Sequence, residues 1–333
     1  MRLGWVHYSI GAQSGVEMVM RRFAEGLLRA DADLSVHFVG RAGPFIGGWR
    51  DLSPGRVTYK DIPELGLGTW SQTPPENRPA LTDKLTAELT CELEGCDAVI
   101  VENASVGAHP AFNLALGRLL AGEKLRGTRF VFRVHDLAFS RPPNFAAIRA
   151  VAAENGLFAH DLLFPKDKRA LHLTVNRSDA YTLYTLGLDE SRIRYLPNPV
   201  DESLGGGEAL ANSLRAEMEK LGWARPGENL LIYPVRAAPR KNITEALLIT
   251  RLLNLLSEGR GGIPHALQPD GPYRLMVAIN PEEARFARYV DIIGEFIAAE
   301  SGLGYLIVNS QFTVDTPAIF ACLIVISIMG LSL

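Results

Sequence analysis

A short apolar run that ends in a glycine or polar turn and passes at once into an amphipathic helix recurs along this chain. That recurrence limits its fold more than any other feature. Leu3-Gly4-Trp5-Val6-His7-Tyr8 reads as a strand and Ser9 to Gly15 as a turn. The helix that follows carries Val16, Val19, Met20, Phe23, Leu27 and Leu28 on one face. Ser14 and Glu17 match a capping box. Further strands are expected at Val36–Val39, Asp97–Glu102, Arg129–Val134, Leu173–Asn176 and Arg192–Leu196, with helices at Leu81–Leu93, Ala111–Leu120 and Ser178–Leu186. Alternation of this kind predicts an α/β domain around a parallel sheet. The 333 residues have room for two such domains. Pro197-Asn198-Pro199 breaks the pattern and Gly205-Gly206-Gly207 suits a hinge, so the boundary is expected near residue 198.

The alternation then restarts. Leu230–Tyr233 reads as a buried strand, followed by Arg236, Arg240 and Lys241 and then by a helix from Ile243 to Leu256, with Asn242 and Glu245 spaced as a capping pair. Cations beyond a strand's carboxyl end, beside the free N–H groups of a helix N-terminus, suit a phosphate; a solvated basic turn has the same composition. Strands at Arg274–Ile279 and Tyr305–Val308 and a helix over Pro281–Ala299 follow. The uncharged run Pro317–Leu333 reads as a helix start and a buried strand, Leu323–Ser327, or as a tail anchor without a basic flank.

Several residues stand where ligands bind in such sheets. His135-Asp136 lies just past a strand's carboxyl end, although a lone histidine also serves as a structural hydrogen-bonder. Asn103 and Ser105 follow another strand end, and Ser140–Asn144, including Arg141, reads as a loop on the rim. Gly15 either lets a ligand approach the backbone or eases the turn. Residues 41–80, rich in Gly and Pro, read as a long, weakly patterned segment, either an ordinary excursion or, in a transferase, a place for acceptor binding. Neither half carries Gly-x-Gly-x-x-Gly, which argues against a dinucleotide enzyme. The net charge of −3 gives no electrostatic case for a nucleic-acid partner. Cys91, Cys96 and Cys322 lack metal-ligand spacing and read as buried thiols in a reducing cytoplasm, and Asp31-Ala32-Asp33 reads as a solvated turn.

Taken together, the two strand–helix halves, the proline-rich linker, His135-Asp136 and Arg236-x4-Lys241-Asn242 resemble a GT-B glycosyltransferase. The likeness is to the large retaining family typified by sucrose-phosphate synthase and bacterial mannosyltransferases. Gly15-Val16-Glu17 resembles that family's Gly-Gly-Val-Glu loop, with Ser14 in place of the first glycine, and Leu196–Asp201 resembles its entry into the second domain. The resemblance implies two Rossmann-like domains facing a cleft: an acceptor-side domain over 1–198 and a nucleotide-sugar donor domain over 199–333. It implies transfer of a hexose from a nucleotide-diphosphate sugar to an acceptor hydroxyl with retained configuration, in the cytoplasm, with no metal and no cofactor beyond the donor. His135 and Asp136 would be catalytic; Arg236, Lys241 and Gly15 would hold the diphosphate; Glu17, Asn103 and Arg141 would touch acceptor or sugar. The family's Glu-Gly-Phe-Gly signature with its second Glu is not matched: Ile328–Leu333 stands in its place. The second domain is therefore expected to be incomplete, and a catalytically degenerate GT-B protein acting as an interaction module is the alternative.

Overall fold

The computed structural model describes residues 1–12, 14–199, 207–234, 243–259 and 271–277. The chain divides into two compact units, Met1–Asp201 and Glu202–Leu333.

Unit 1 runs β1 (Arg2–Ile10), α1 (Gly15–Ala30), β2 (Ser35–Ala42), the short α2 (Gly47–Arg50), β3 (Val57–Asp61), the short α3 (Thr69–Gln72), α4 (Arg78–Leu93), β4 (Ala98–Glu102), α5 (Pro110–Ala121), β5 (Arg129–Val134), α6 (Pro142–Glu154), α7 (Ala159–Leu163), β6 (Ala170–Thr174), α8 (Arg177–Thr185) and β7 (Ile193–Tyr195). The seven strands form one sheet in the order β3-β2-β1-β4-β5-β6-β7. Every pairing in it is parallel. Side chains alternate between its faces. Trp5, Val36 and Phe38 pack with Met20, Ala24 and Leu28 of α1 and with Trp49. Val6, Val99 and Val101 face the other way, against Leu85, Leu89 and Leu93 of α4 and the α5–α7 layer. Gly4 allows that second layer to close, since a Cβ there would stand 2.7 Å from Leu93 Cδ2.

The described elements of unit 2 are α9 (Gly207–Lys220), β8 (Asn229–Tyr233), α10 (Ile243–Ser257) and β9 (Tyr273–Val277). β8 and β9 pair in parallel. Arg274 grips both Glu228 oxygens with its Nε and Nη2, at 2.6 and 2.9 Å. The Asn254 side chain brackets the backbone of Tyr273, accepting from its N–H at 2.6 Å and donating to its carbonyl at 2.9 Å, and so ties α10 to β9.

Four expectations are corrected. Residues 41–80 contain β3, an edge strand whose Thr58, Lys60 and Asp61 leave no apolar run to read. Helix α6 begins at Pro142, inside the stretch expected to be loop, because proline's missing N–H costs nothing in a first helical turn. Strand β6 lies over Ala170–Thr174, since Asn176 caps α8 by accepting from Asp179 N at 2.7 Å. Of the thiols expected to be buried, Cys96 is and Cys91 is exposed. Cys322, Arg236, Lys241, Asn242, the elements expected beyond Val277 and the uncharged tail lie outside the described residues.

His172 of β6 is buried, stacked on Phe132, and donates Nε2–H to Pro165 O at 3.1 Å. Burial lowers its pKa to about 4. The unfolded chain therefore binds a proton near pH 6.5 that the folded chain refuses until about pH 4. Stability conferred by the neutral ring is complete above that window and falls as pH drops through it. Denaturant unfolding from pH 7 to pH 4 should show His172→Phe losing less stability than the wild type, by on the order of 3 kcal/mol. Parallel curves for the two proteins would contradict this.

Candidate functional site

In this strand order the chain reverses its direction of travel between β1 and β4, and the crevice beyond the carboxyl ends of those strands is where open α/β sheets bind ligands. A cluster of buried polar residues gathers there. Glu102 ends β4 with 0% of its surface exposed. Its Oε1 accepts from Trp5 Nε1 of β1 at 3.0 Å and from Arg133 Nη1 of β5 at 3.3 Å. Its Oε2 lies 2.7 Å from His135 Nε2. The parallel register sets Glu102 opposite Arg133, which places the carboxylate and the guanidinium on neighbouring strands. Burial pushes the Glu102 carboxyl up, but the hydrogen bond from His135 and the charge of Arg133 outweigh it and hold the group below the usual carboxylate range. Arg133 is itself buried, lies over the Phe23 ring at 4.1 Å, and has Nη2 at 3.5 Å from Asn198 Oδ1. His7 of β1 completes the cluster; its ring is buried, which lowers its pKa, and its Nδ1 is 2.7 Å from Ser9 O.

The strand ends are tied to one another. Asn103 is the single non-glycine residue with positive φ among the described residues, at 56°. Asparagine tolerates that conformation better than most residues. Asn103 N donates to Arg133 O at 2.8 Å, and its Oδ1 accepts from Asp136 N at 3.0 Å. Ser105 Oγ donates to Asp136 O at 2.8 Å. Asp136 is partly exposed, and its Oδ2 pairs with Arg141 Nη2 at 3.1 Å. On the β1 side Glu17 is buried, and its two oxygens accept from Ala12 N at 3.0 Å and Ser14 N at 2.8 Å while Ser14 Oγ accepts from Glu17 N. That carboxylate thus holds the turn and does not stand free for a ligand. Gly15 opens α1 with nothing within 4 Å of where a Cβ would be. The neighbouring turns are pressed together: a Cβ on Gly43 would stand 2.3 Å from the Gly11 carbonyl carbon.

Of the residues singled out from sequence, His135, Asp136, Asn103 and Arg141 thus stand at the carboxyl end of this sheet, with Gly15 and Glu17 in the first turn of α1. Glu102, Arg133 and Trp5 were not foreseen as site residues. The one signal for Glu102 and Arg133 is a charge in otherwise apolar strands, in Val-Ile-Val-Glu and Phe-Val-Phe-Arg-Val. Among the described residues no three His, Cys, Asp or Glu side chains gather as metal ligands, and no helix is long and apolar enough to cross a membrane.

A parallel sheet in this order, with polar groups converging at its point of reversal, is a Rossmann-like domain, and the chain has the α/β fold of the GT-B glycosyltransferases. It is similar to HepE of Anabaena, solved in complex with UDP-glucose, at a TM-score of 0.55 and 12% identity over 90% of this chain and 67% of that one. A glycosyltransferase from Rickettsia africae aligns at a TM-score of 0.53 and 12% identity, over 89% of this chain and 64% of that one. WaaG, a glycosyltransferase involved in lipopolysaccharide biosynthesis, aligns at 0.51 and 14%, over 88% and 67%. In sequence, the mannosylglucosyl-3-phosphoglycerate synthase of Petrotoga mobilis is 25% identical over 331 residues, covering 92% of this chain and 62% of that protein. The chain thus spans less than two thirds of that relative's length. No family model matches the chain.

Removing one partner of a buried ion pair leaves an uncompensated charge. Arg133→Met is expected to lower unfolding stability at neutral pH by about 3–5 kcal/mol, and by markedly less when Glu102→Gln is already present. Urea unfolding of the two single variants and the double variant measures this coupling; additive losses would show that the pair is not the source.

Proposed function

We propose that the protein is a retaining glycosyltransferase that moves a hexose from a nucleotide-diphosphate sugar to an acceptor hydroxyl. The observation that carries this reading is the cluster at the carboxyl ends of β1, β4 and β5, in a chain 25% identical to a named sugar-phosphoglycerate synthase. In the proposed reaction the leaving group is a nucleoside diphosphate, whose developing negative charge calls for positioned cations. Arg236 supplies a two-pronged guanidinium and Lys241 a point charge, and Gly15, in the first turn of α1, brings the positive end of that helix. With those cations on the diphosphate, the reaction needs no cofactor beyond the donor. His135 meets the transferred sugar, and Asp136, with its partner Arg141, stands beside it at the same strand end. Asn103 holds the two strand ends in place through its bond to Asp136 N.

The acceptor is a hydroxyl compound. The name of the Petrotoga relative makes phosphorylated glycosyl-glycerates the first acceptors to try. The protein should release UDP or GDP from UDP-glucose or GDP-mannose only when an acceptor is present, and NMR of the product should show the donor's anomeric configuration. An inverted product would rule out the retaining route. Absence of turnover with every donor and acceptor pair, alongside a stable protein complex, would favour the interaction-module alternative. Arg236→Ala should weaken UDP or GDP binding by more than about tenfold, since a charge-assisted hydrogen bond contributes about 1.5–3 kcal/mol. Calorimetric titration giving unchanged affinity would remove Arg236 from the diphosphate site.

A further inference from the structure

The Glu102 carboxylate reaches no ligand. It has no exposed surface, and its oxygens receive Trp5, Arg133 and His135. What it can do is decide the state of the one neighbour that stands at the strand's open end. A carboxylate only accepts, so the His135 nitrogen 2.7 Å from Oε2 must be the one that carries hydrogen. The neutral ring then keeps a lone pair on Nδ1, which has no hydrogen-bond partner among the described residues.

Glu102 is held to this task from its other side. The Trp5 indole and the Arg133 guanidinium both occupy Oε1, so the carboxyl plane is set by β1 and β5 together and Oε2 is left to His135 alone. The Arg133 charge balances the carboxylate. The other buried ring nearby, His7, makes no hydrogen bond to Glu102 among the described residues, and its Nδ1 lies 2.7 Å from Ser9 O.

We propose that Glu102 is the positioning residue of this site: it fixes His135 as the Nε2–H tautomer, so that Nδ1 receives a hydrogen bond from a sugar hydroxyl. The second half of that statement rests on the transferase reading; the first does not. An Nδ1 lone pair selects for chemistry. A hydroxyl brings a hydrogen to it, whereas an ionised phosphate or carboxylate oxygen brings none and would be repelled. His135 thereby reads the sugar, and the anionic part of the donor must be held by other groups.

Two-bond proton–nitrogen correlation spectra of the 15N-labelled full chain test this, with the His135 signals identified by their loss in His135→Gln. The wild type without ligand, at a pH where the ring is neutral, is expected to carry its proton on Nε2. In Glu102→Leu the same ring should become a mixture of tautomers. A wild-type proton on Nδ1, or an unchanged tautomer in Glu102→Leu, would overturn the positioning role. Should the variant not fold, the wild-type spectrum still decides. Adding UDP-glucose, GDP-mannose or a hydroxylated acceptor should move the Nδ1 resonance. Intact Nε2–H with no Nδ1 response to any of these sugars would overturn the hydroxyl contact and leave the positioning role standing. An Nδ1 response without hexose transfer would count against the transferase reading alone.

Discussion

A fully buried carboxylate is the constraint around which unit 1 is assembled. Withdrawing an ion from water costs several kcal/mol unless charges and hydrogen bonds are supplied in return. Glu102 receives them from three directions: an indole on β1, a guanidinium on β5 and an imidazole one residue past β5. Each donor works only with the strands in their observed register, where Glu102 faces Arg133 across β4 and β5. A slip of one residue would turn the carboxylate toward the opposite face and leave both charges unmatched. The polar network therefore does for register what the apolar layers on either face cannot do alone, since those layers accept many similar packings.

The same network makes the carboxyl end of the sheet stiff at its point of reversal. Asn103 turns sharply away from β4 in a conformation few residues adopt and spends its side chain on the backbone of Asp136. Strain held by surrounding bonds in this way is characteristic of functional sites. The capping box of α1, closed by Glu17, fixes the turn after β1, and nothing stands within 4 Å of a Cβ at Gly15. Rigid strands and helix ends thus present His135 and Asp136 from a frame whose own hydrogen bonds are already made, the arrangement that precise ligand placement requires.

How far this was legible from sequence varied with the kind of signal. Strand β5 and the histidine after it could be read directly, because Phe-Val-Phe-Arg-Val is an unbroken apolar stretch with a sharp polar end. Helix α1 carried both its apolar face and its capping pair. β3 was hidden because an edge strand is covered on one side only and needs no run of apolar residues. α6 was hidden because two consecutive prolines read as a loop, although both sit in a first helical turn. Glu102 and Arg133 were legible only as anomalies, charges inside buried strands. Their pairing depends on a register between segments some thirty residues apart, which no local pattern encodes. Trp5 gave still less, since its ring belongs to the core and only its N–H belongs to the site.

Hydrogen–deuterium exchange of the whole chain, with and without UDP-glucose or GDP-mannose, tests most directly whether this end of the sheet meets the proposed sugar donor. The account predicts slowed exchange concentrated in the segments after β1, β4 and β5, residues 11–17, 103–107 and 135–141. Unchanged exchange there with either sugar, or protection confined to the amino ends of the same strands, would contradict it.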